Sequence, residues 1–268
     1  MTSIFRQLSL PNLIGVANAI ADNRLTNPLT ESTLLGYVPS SLATPLASEL
    51  NQLLTNGVSS THIAYTLRLL AEERVETQRM RDRVDLVWTG QEFSGSTSRD
   101  THIVVQELFA SAKHSVLVSS FALDKAGSTR SLFQTLAQQM SIFPDLQVRI
   151  FFNVHRSYKD LTAENILLRQ FAEFFRQEIW SGNKLPELFH DPRSLSTEPA
   201  KRACLHAKCV VVDEEKVLVT SANFTEAAHE RNIEAGLLIV DKAIAHAIIN
   251  QFDSLTGRNI LQRISLAR

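Results

Sequence analysis

Residues 89–100, TGQEFSGSTSRD, separate two incompatible hydrophobic periods. Before them, apolar residues recur at helical spacing; after them, strand-length apolar runs alternate with helical stretches. Leu13, Val16, Ala17 and Ile20 define one face of a helix expected over Leu10–Ala21, with Pro11 tolerated in its first turn. Further helices are expected over Ser40–Leu54 and Ser60–Val84, the latter capped by Ser59–Thr61 and striped by Ile63, Leu67, Leu70 and Val75. The arginines of this last segment (68, 74, 79, 81 and 83) are largely cancelled by Glu72, Glu73, Glu76, Asp82 and Asp85. That mixture reads as a solvated helix face rather than a phosphate-binding surface. The Gly/Ser-rich run reads as a linker over 89–100, dividing a helical N-terminal domain, 1–88, from a second domain, 101–268.

In the second domain, strands are expected over Ser115–Leu123, Leu146–Val154, Glu187–His190, Leu205–Val212, Lys216–Thr220 and Glu234–Val240. Helices are expected over His102–Ala112, Thr129–Ser141, Leu161–Glu178 and Lys242–Leu255. Strands separated by helices predict an α/β domain with a mixed sheet flanked by helices. The 268 residues are 44% hydrophobic, enough for a full core, and the net charge of −1 gives no global basic signal for nucleic acid. The longest apolar runs are strand-length, too short for a membrane span. The N-terminal MTSIFRQLSLPNLIG lacks the pattern of a signal peptide, and Cys204 and Cys209 read as reduced thiols. A cytoplasmic protein is the expectation.

One stretch carries the chemistry. Leu205–Asn223 reads LHAKCVVVDEEKVLVTSAN, that is H-x-K-x4-D and then T-S-x-N. His206 and Lys208, two apart, share a face if the backbone is extended, and Ser221 and Asn223 repeat that spacing one hairpin later. An imidazole beside an ammonium, with hydroxyl and amide donors converging, suits attack on a phosphate diester. The alternatives are a buried histidine with a surface lysine, and a simple turn with a helix cap. Asp213 falls at the turn after the strand and reads as a structural hydrogen-bond acceptor rather than a catalytic group. No Asp/Glu/His cluster has hydrolytic metal-site spacing, so neither a metal nor another cofactor is expected.

His206, Lys208, Asp213, Ser221 and Asn223 resemble the signature of the phospholipase D superfamily, and the similarity continues through NFTEAAHERNIEAGLL. On that resemblance Asn232 and Glu234 complete the site, Glu234 as the carboxylate that orients His206. Thr220 stands where the family usually has Gly. The run from Val87 to Val240 also resembles the phospholipase D-like component of DISARM anti-phage defence systems, through LVWTGQE, the RDT helix start, LHAKCVVVD and VTSANFTEAAHERNIEAG.

The resemblance implies a metal-independent phosphodiesterase, acting as a DNA or RNA nuclease through a phosphohistidine, with other defence proteins as further partners. Two histidines are needed, one as nucleophile and one as acid. His62, His102, His114, His155, His190, His229 and His246 all lack a lysine two residues on. One chain therefore holds half a site, and a homodimer is expected to complete it. Candidate substrate contacts are Ser119, Ser120 and Phe121 at the C-terminal end of the first strand, where open sheets bind ligands, together with Asn232. Arg193 and Arg202, like His155 and Arg156, are candidate backbone-phosphate contacts or role-free surface groups. His229 reads as a solvent-facing helical residue. The rival readings are a phospholipase or phosphatidyltransferase, and a non-catalytic nucleic-acid-binding or scaffold subunit.

Overall fold

The computed structural model describes residues 4–91, 95, 97–125 and 127–266, with the backbone alone at 80 and 81. The chain forms two compact units, Met1–Asp82 and Arg83–Arg268.

The first unit is helical: α1 (Leu10–Ala21), α2 (Glu31–Leu34), α3 (Ser40–Thr55) and α4 (Ser60–Arg81). Ser9 caps α1, its hydroxyl accepting from the Asn12 N–H at 3.3 Å. Leu13, Val16, Ala17 and Ile20 are buried with Leu34, Leu46, Leu50, Ile63 and Leu67 in one core. Arg74 is spent on the backbone, donating to the carbonyls of Phe5, Arg6 and Leu8. Arg68 donates to Asn18 Oδ1 at 3.1 Å, and Arg79 faces Glu76 at 3.6 Å.

The second unit is built on a nine-stranded mixed sheet, in the order β2-β1-β8-β7-β6-β3-β4-β5-β9. Its strands are β1 (Val84–Thr89), β2 (Arg99–Asp100), β3 (Ser115–Ser120), β4 (Gln147–Phe152), β5 (Glu187–His190), β6 (Cys209–Val212), β7 (Lys216–Thr220), β8 (Glu234–Val240) and β9 (Gln262–Ile264). β3, β4 and β5 are parallel neighbours; β6, β7 and β8 continue from β3 in antiparallel steps. The apolar runs of the central strands β3 and β6 are continuous because both of their faces are covered. Val116, Val118, Val210 and Val212 pack on one side with α5 (Thr101–Ser111), α6 (Gly127–Ile142) and the π-helical turn Phe175–Ile179 that follows α7 (Glu164–Phe174). Leu117 and Val211 face the other side, where α8 (Lys242–Gly257) supplies Ala245 and Phe252. No helix among the described residues is long and apolar enough to cross a membrane.

Four local expectations change. The helix expected to run to Val84 ends at Arg81, and Val84 opens an unexpected strand, VDLVWT, paired with β8 from Val84↔Ile239 to Thr89↔Glu234. The break between the units therefore falls at Asp82/Arg83, ahead of the expected 88/89. Part of the expected linker, residues 92–94 and 96, lies outside the described residues. β3 ends at Ser120 rather than Leu123, and β6 begins only at Cys209. His206 and Lys208 thus occupy irregular backbone leading into β6 rather than the strand itself.

Candidate active site

The topology brings the singled-out residues to one edge. Parallel β3 and β4 end there, as does β7, while antiparallel β6 and β8 begin there. Two segments continue β3 and β7 outward and are laced together. The Ala122 N–H donates to Asn223 Oδ1 at 3.2 Å, and the Phe224 N–H donates to Ser120 Oγ, also at 3.2 Å. The Asp124 N–H reaches the Phe224 carbonyl at 3.2 Å, and the Glu226 N–H reaches the Asp124 carboxylate at 2.8 Å. Asp124 also accepts from Thr129 Oγ1 at 2.8 Å, which fixes the start of α6. Sequence reasoning passed over Asp124; its signal was an acid five residues before Thr129 at a helix start.

His206 is exposed on this edge. Lys208 Nζ lies 3.2 Å from Nδ1 and 3.4 Å from Nε2 of the imidazole, and it donates to the His206 carbonyl at 3.1 Å. The Phe121 ring sits 4.8 Å from the imidazole, centroid to centroid. The segment carrying the pair is anchored beside β3 and β7, where Ser119 Oγ donates to the Ala207 carbonyl and the Thr220 N–H to the Lys208 carbonyl.

Within one chain Glu234 is held by its own neighbours. Its carboxylate accepts from Ser221 Oγ at 2.5 Å and from Asn232 Nδ2 at 3.0 Å, and no hydrogen bond or ion pair joins it to His206. In the sheet, β7 lies between β8 and β6. Its charge does act on Lys208. Burial pushes the Lys208 ammonium below the ordinary lysine range, and the charges of Glu234 and Cys204 oppose that shift. A working Lys208 must be protonated, so Glu234→Gln is expected to move the alkaline limb of a kcat/KM–pH profile to lower pH. A limb that stays put or rises would contradict the coupling.

Thr220 is accommodated by the residue opposite. It pairs with Gly236, where a Cβ would come within 2.9 Å of the Thr220 Cβ. The Thr220 hydroxyl accepts from the Ala222 N–H at 3.0 Å, steadying the turn that presents Ser221.

Several candidates are placed elsewhere. Ser120 is fully buried, with Oγ donating to the Ala122 carbonyl, so it holds the loop rather than reaching a substrate. Arg156 is 3% exposed and spends its guanidinium on the carbonyls of Leu195, Asp160 and Thr162. Arg193 follows β5 on the same sheet edge, but its guanidinium is already paired with Asp191 at 2.7 Å. Arg202 donates to the Ser196 carbonyl at 2.8 Å. His229, expected to face solvent, is buried between His102 (5.7 Å, edge-on) and Phe224 (5.8 Å). Burial drives its pKa down to about 4, with His102 adding to the shift and a hydrogen bond to the Asn223 backbone opposing it. Neutral His229 thus braces the Asn223–Phe224 turn from beneath. Of the two thiols, Cys209 is pushed up to about 12 by burial, while Cys204 is exposed.

Asp213 lies at the far end of β6. Its carboxylate accepts the backbone N–H groups of Lys113 (3.0 Å), His114 (2.8 Å) and Ser115 (2.9 Å). It therefore ties the α5–β3 connection to the β6–β7 hairpin, a wider span than the single turn expected of it. Among the described residues, no three His, Cys, Asp or Glu side chains converge as a metal cage.

A family profile described as cardiolipin synthase, PLD-like domain, matches residues 105–256, more than half of the chain. The chain belongs to this phospholipase D-like family. The matched region spans every strand from β3 to β8, hence His206, Lys208, Ser221, Asn223 and Glu234 together. It is similar to the DISARM protein DrmC of Bacillus paralicheniformis, at 26% identity over 199 residues, covering 73% of this chain and 72% of that one. Among solved structures it is similar to Nuc of Salmonella typhimurium, a phospholipase D family member, with a TM-score of 0.43 and 19% identity, covering 67% of this chain and 96% of that one. It is also similar to the phosphatidylserine synthase of Haemophilus influenzae, with a TM-score of 0.47 and 16% identity, covering 66% of this chain and 40% of that one.

Proposed function

We propose that this chain is a metal-independent phosphodiesterase that cleaves DNA or RNA, working as a homodimer in anti-phage defence. The observation that carries the reading is the exposed His206 imidazole with the Lys208 ammonium 3.2 Å from its ring, on a sheet edge shared with Ser221, Asn232 and Glu234. A ring nitrogen of His206 attacks phosphorus, forming an N–P bond as the P–O ester bond breaks. His206 of the second copy gives its proton to the departing oxygen. Water, deprotonated by that same imidazole, then attacks phosphorus and breaks the N–P bond. Throughout, Lys208 stabilises charge on the non-bridging oxygens.

Two further observations support the reading. The single H-x-K leaves one chain a histidine short of this cycle. Beside the edge, Leu86, Leu237 and Val219 form an uncovered cross-strand apolar row, each about 45% exposed, next to the strand ends that bear Ser221 and Glu234. The similarity to a DISARM protein supports the defence setting and partners from the same system. Cytoplasmic location belongs to the same proposal.

The test is incubation of the purified protein with labelled single- and double-stranded DNA, RNA and phospholipid vesicles, all in EDTA, with its mass followed by light scattering. Nucleic acid cut in EDTA by a dimer is the expected outcome. Cleavage of lipid alone would move the assignment to a phospholipase. Binding without any cleavage would leave a scaffold, and an active monomer would end the half-site argument.

A further inference from the structure

Beside His206 lies a groove of about 570 Å³ that none of the roles above uses. It opens where β3 and β4 end side by side, between the segments that follow them and α7. Phe121 forms one wall, and the other neighbour of that ring is the His206 imidazole. Phe171 and Phe174 of α7 line it from across, with Phe152 at its base, 1% exposed and 5.9 Å from Phe171. Among the described residues no Asp, Glu, Lys or Arg lines it; its polar lining is Asn153, His155 and Gln170. Asn153, the residue after β4, contributes a buried Oδ1 that has no hydrogen-bond partner. A buried amide oxygen left without a donor is uncommon in folded proteins and calls for a partner.

We propose that this groove is a base-binding slot for the nucleotide flanking the scissile phosphate, which makes an unpaired, single-stranded nucleic acid the substrate class. The inference rests on the nuclease reading above. A nucleotide is an anion joined to a flat, neutral, π-faced ring with hydrogen-bonding edges. The edge of the sheet offers those features in that order: the Lys208 ammonium and His206 for the phosphate, aromatic walls for the ring faces, and Asn153 Oδ1 for an amino or ring N–H. A base paired in a duplex presents neither its faces nor that edge, so it must be unstacked to enter. An acyl chain would match the aliphatic part of the lining, Ala122, Leu123, Val154 and Leu167, but would leave the amides of Asn153 and Gln170 and the Asn153 oxygen without a partner, which favours the base over a lipid.

The test compares kcat/KM of the full-length protein on a short single-stranded DNA, on the same strand with tetrahydrofuran abasic residues, on the annealed duplex, and on phosphatidylcholine vesicles. The base-bearing single strand is expected to be cut about 10-fold or more faster than the abasic strand or the duplex, since stacking on one aromatic platform is worth that much. Phe171→Ala, and independently the similarly sized Asn153→Leu, should bring the ratio of base-bearing to abasic rates toward one. Equal cleavage of the two strands by the unmodified protein, or an unchanged ratio in both variants, overturns the slot while leaving the nuclease reading intact. Hydrolysis of the vesicle lipid that falls in Phe171→Ala assigns the groove to an acyl chain and overturns it as well. If no substrate is cut, the nuclease reading fails. Anisotropy of the labelled strands then decides the slot separately: tighter binding of the base-bearing strand upholds it, and equal binding removes it.

Discussion

His206→Ala is expected to lower phosphodiester cleavage by more than about 10⁴-fold while leaving the fold intact. General acid–base catalysis alone contributes about 10²–10⁴-fold, and in a symmetric dimer this one substitution removes the nucleophile and the acid together. The side chain is exposed and lies against Lys208 and Phe121, so its loss creates no cavity in the core. Mixed dimers sharpen the test. If both imidazoles act in each cycle, activity follows the square of the unmodified fraction, and an equal mixture of exchanged chains retains about one quarter. A linear dependence would mean that each chain works alone, and a variant that keeps substantial activity would dismiss His206 as the nucleophile.

The site was legible in the sequence to the extent that it is contiguous along the chain. His206 with Lys208, and Ser221 with Asn232 and Glu234, each come together over short separations; spacing singled out His206, Lys208 and Ser221, and the family resemblance added Asn232 and Glu234. What spacing could not supply was the lateral order of strands. β7 lies between β8, which begins at Glu234, and β6, which follows His206 and Lys208. Ser120 and His229 were misplaced for a related reason. Both read as surface residues, yet Ser120 closes a hydrogen bond to Phe224, and His229 packs on that same Phe224 ring, 5 positions further along the chain. Their burial comes from two loops about 100 residues apart in sequence running side by side.

The fold was legible where one period dominates. Continuous runs such as CVVV and helices with a single apolar stripe fell where expected, apart from their ends. The strand VDLVWT was not, because it follows α4 with little punctuation and its partner β8 begins about 145 residues later. Local propensity at such a junction is overruled by ladder pairing that no window of the sequence contains.

Asp213→Ala is expected to destabilise the sheet-bearing unit by about 2–4 kcal/mol without altering the chemistry. Three backbone N–H groups, at Lys113, His114 and Ser115, lose a charged acceptor, each such bond being worth about 1.5–3 kcal/mol where it is shielded. Lys113 and His114 are exposed, so water recovers part of that loss and the sum stays well below three full bonds. Asp213 also holds φ 52°, a left-handed conformation that Asp and Asn adopt more readily than Ala, which adds about 1 kcal/mol. Asp213→Asn keeps the backbone preference and one acceptor oxygen, so it should recover roughly half of the stability by urea unfolding. Because Asp213 sits at the end of β6 opposite His206, kcat measured well below the unfolding transition should remain unchanged in both variants. A loss of about 100-fold in kcat with the unfolding midpoint intact would instead give this carboxylate a part in the reaction.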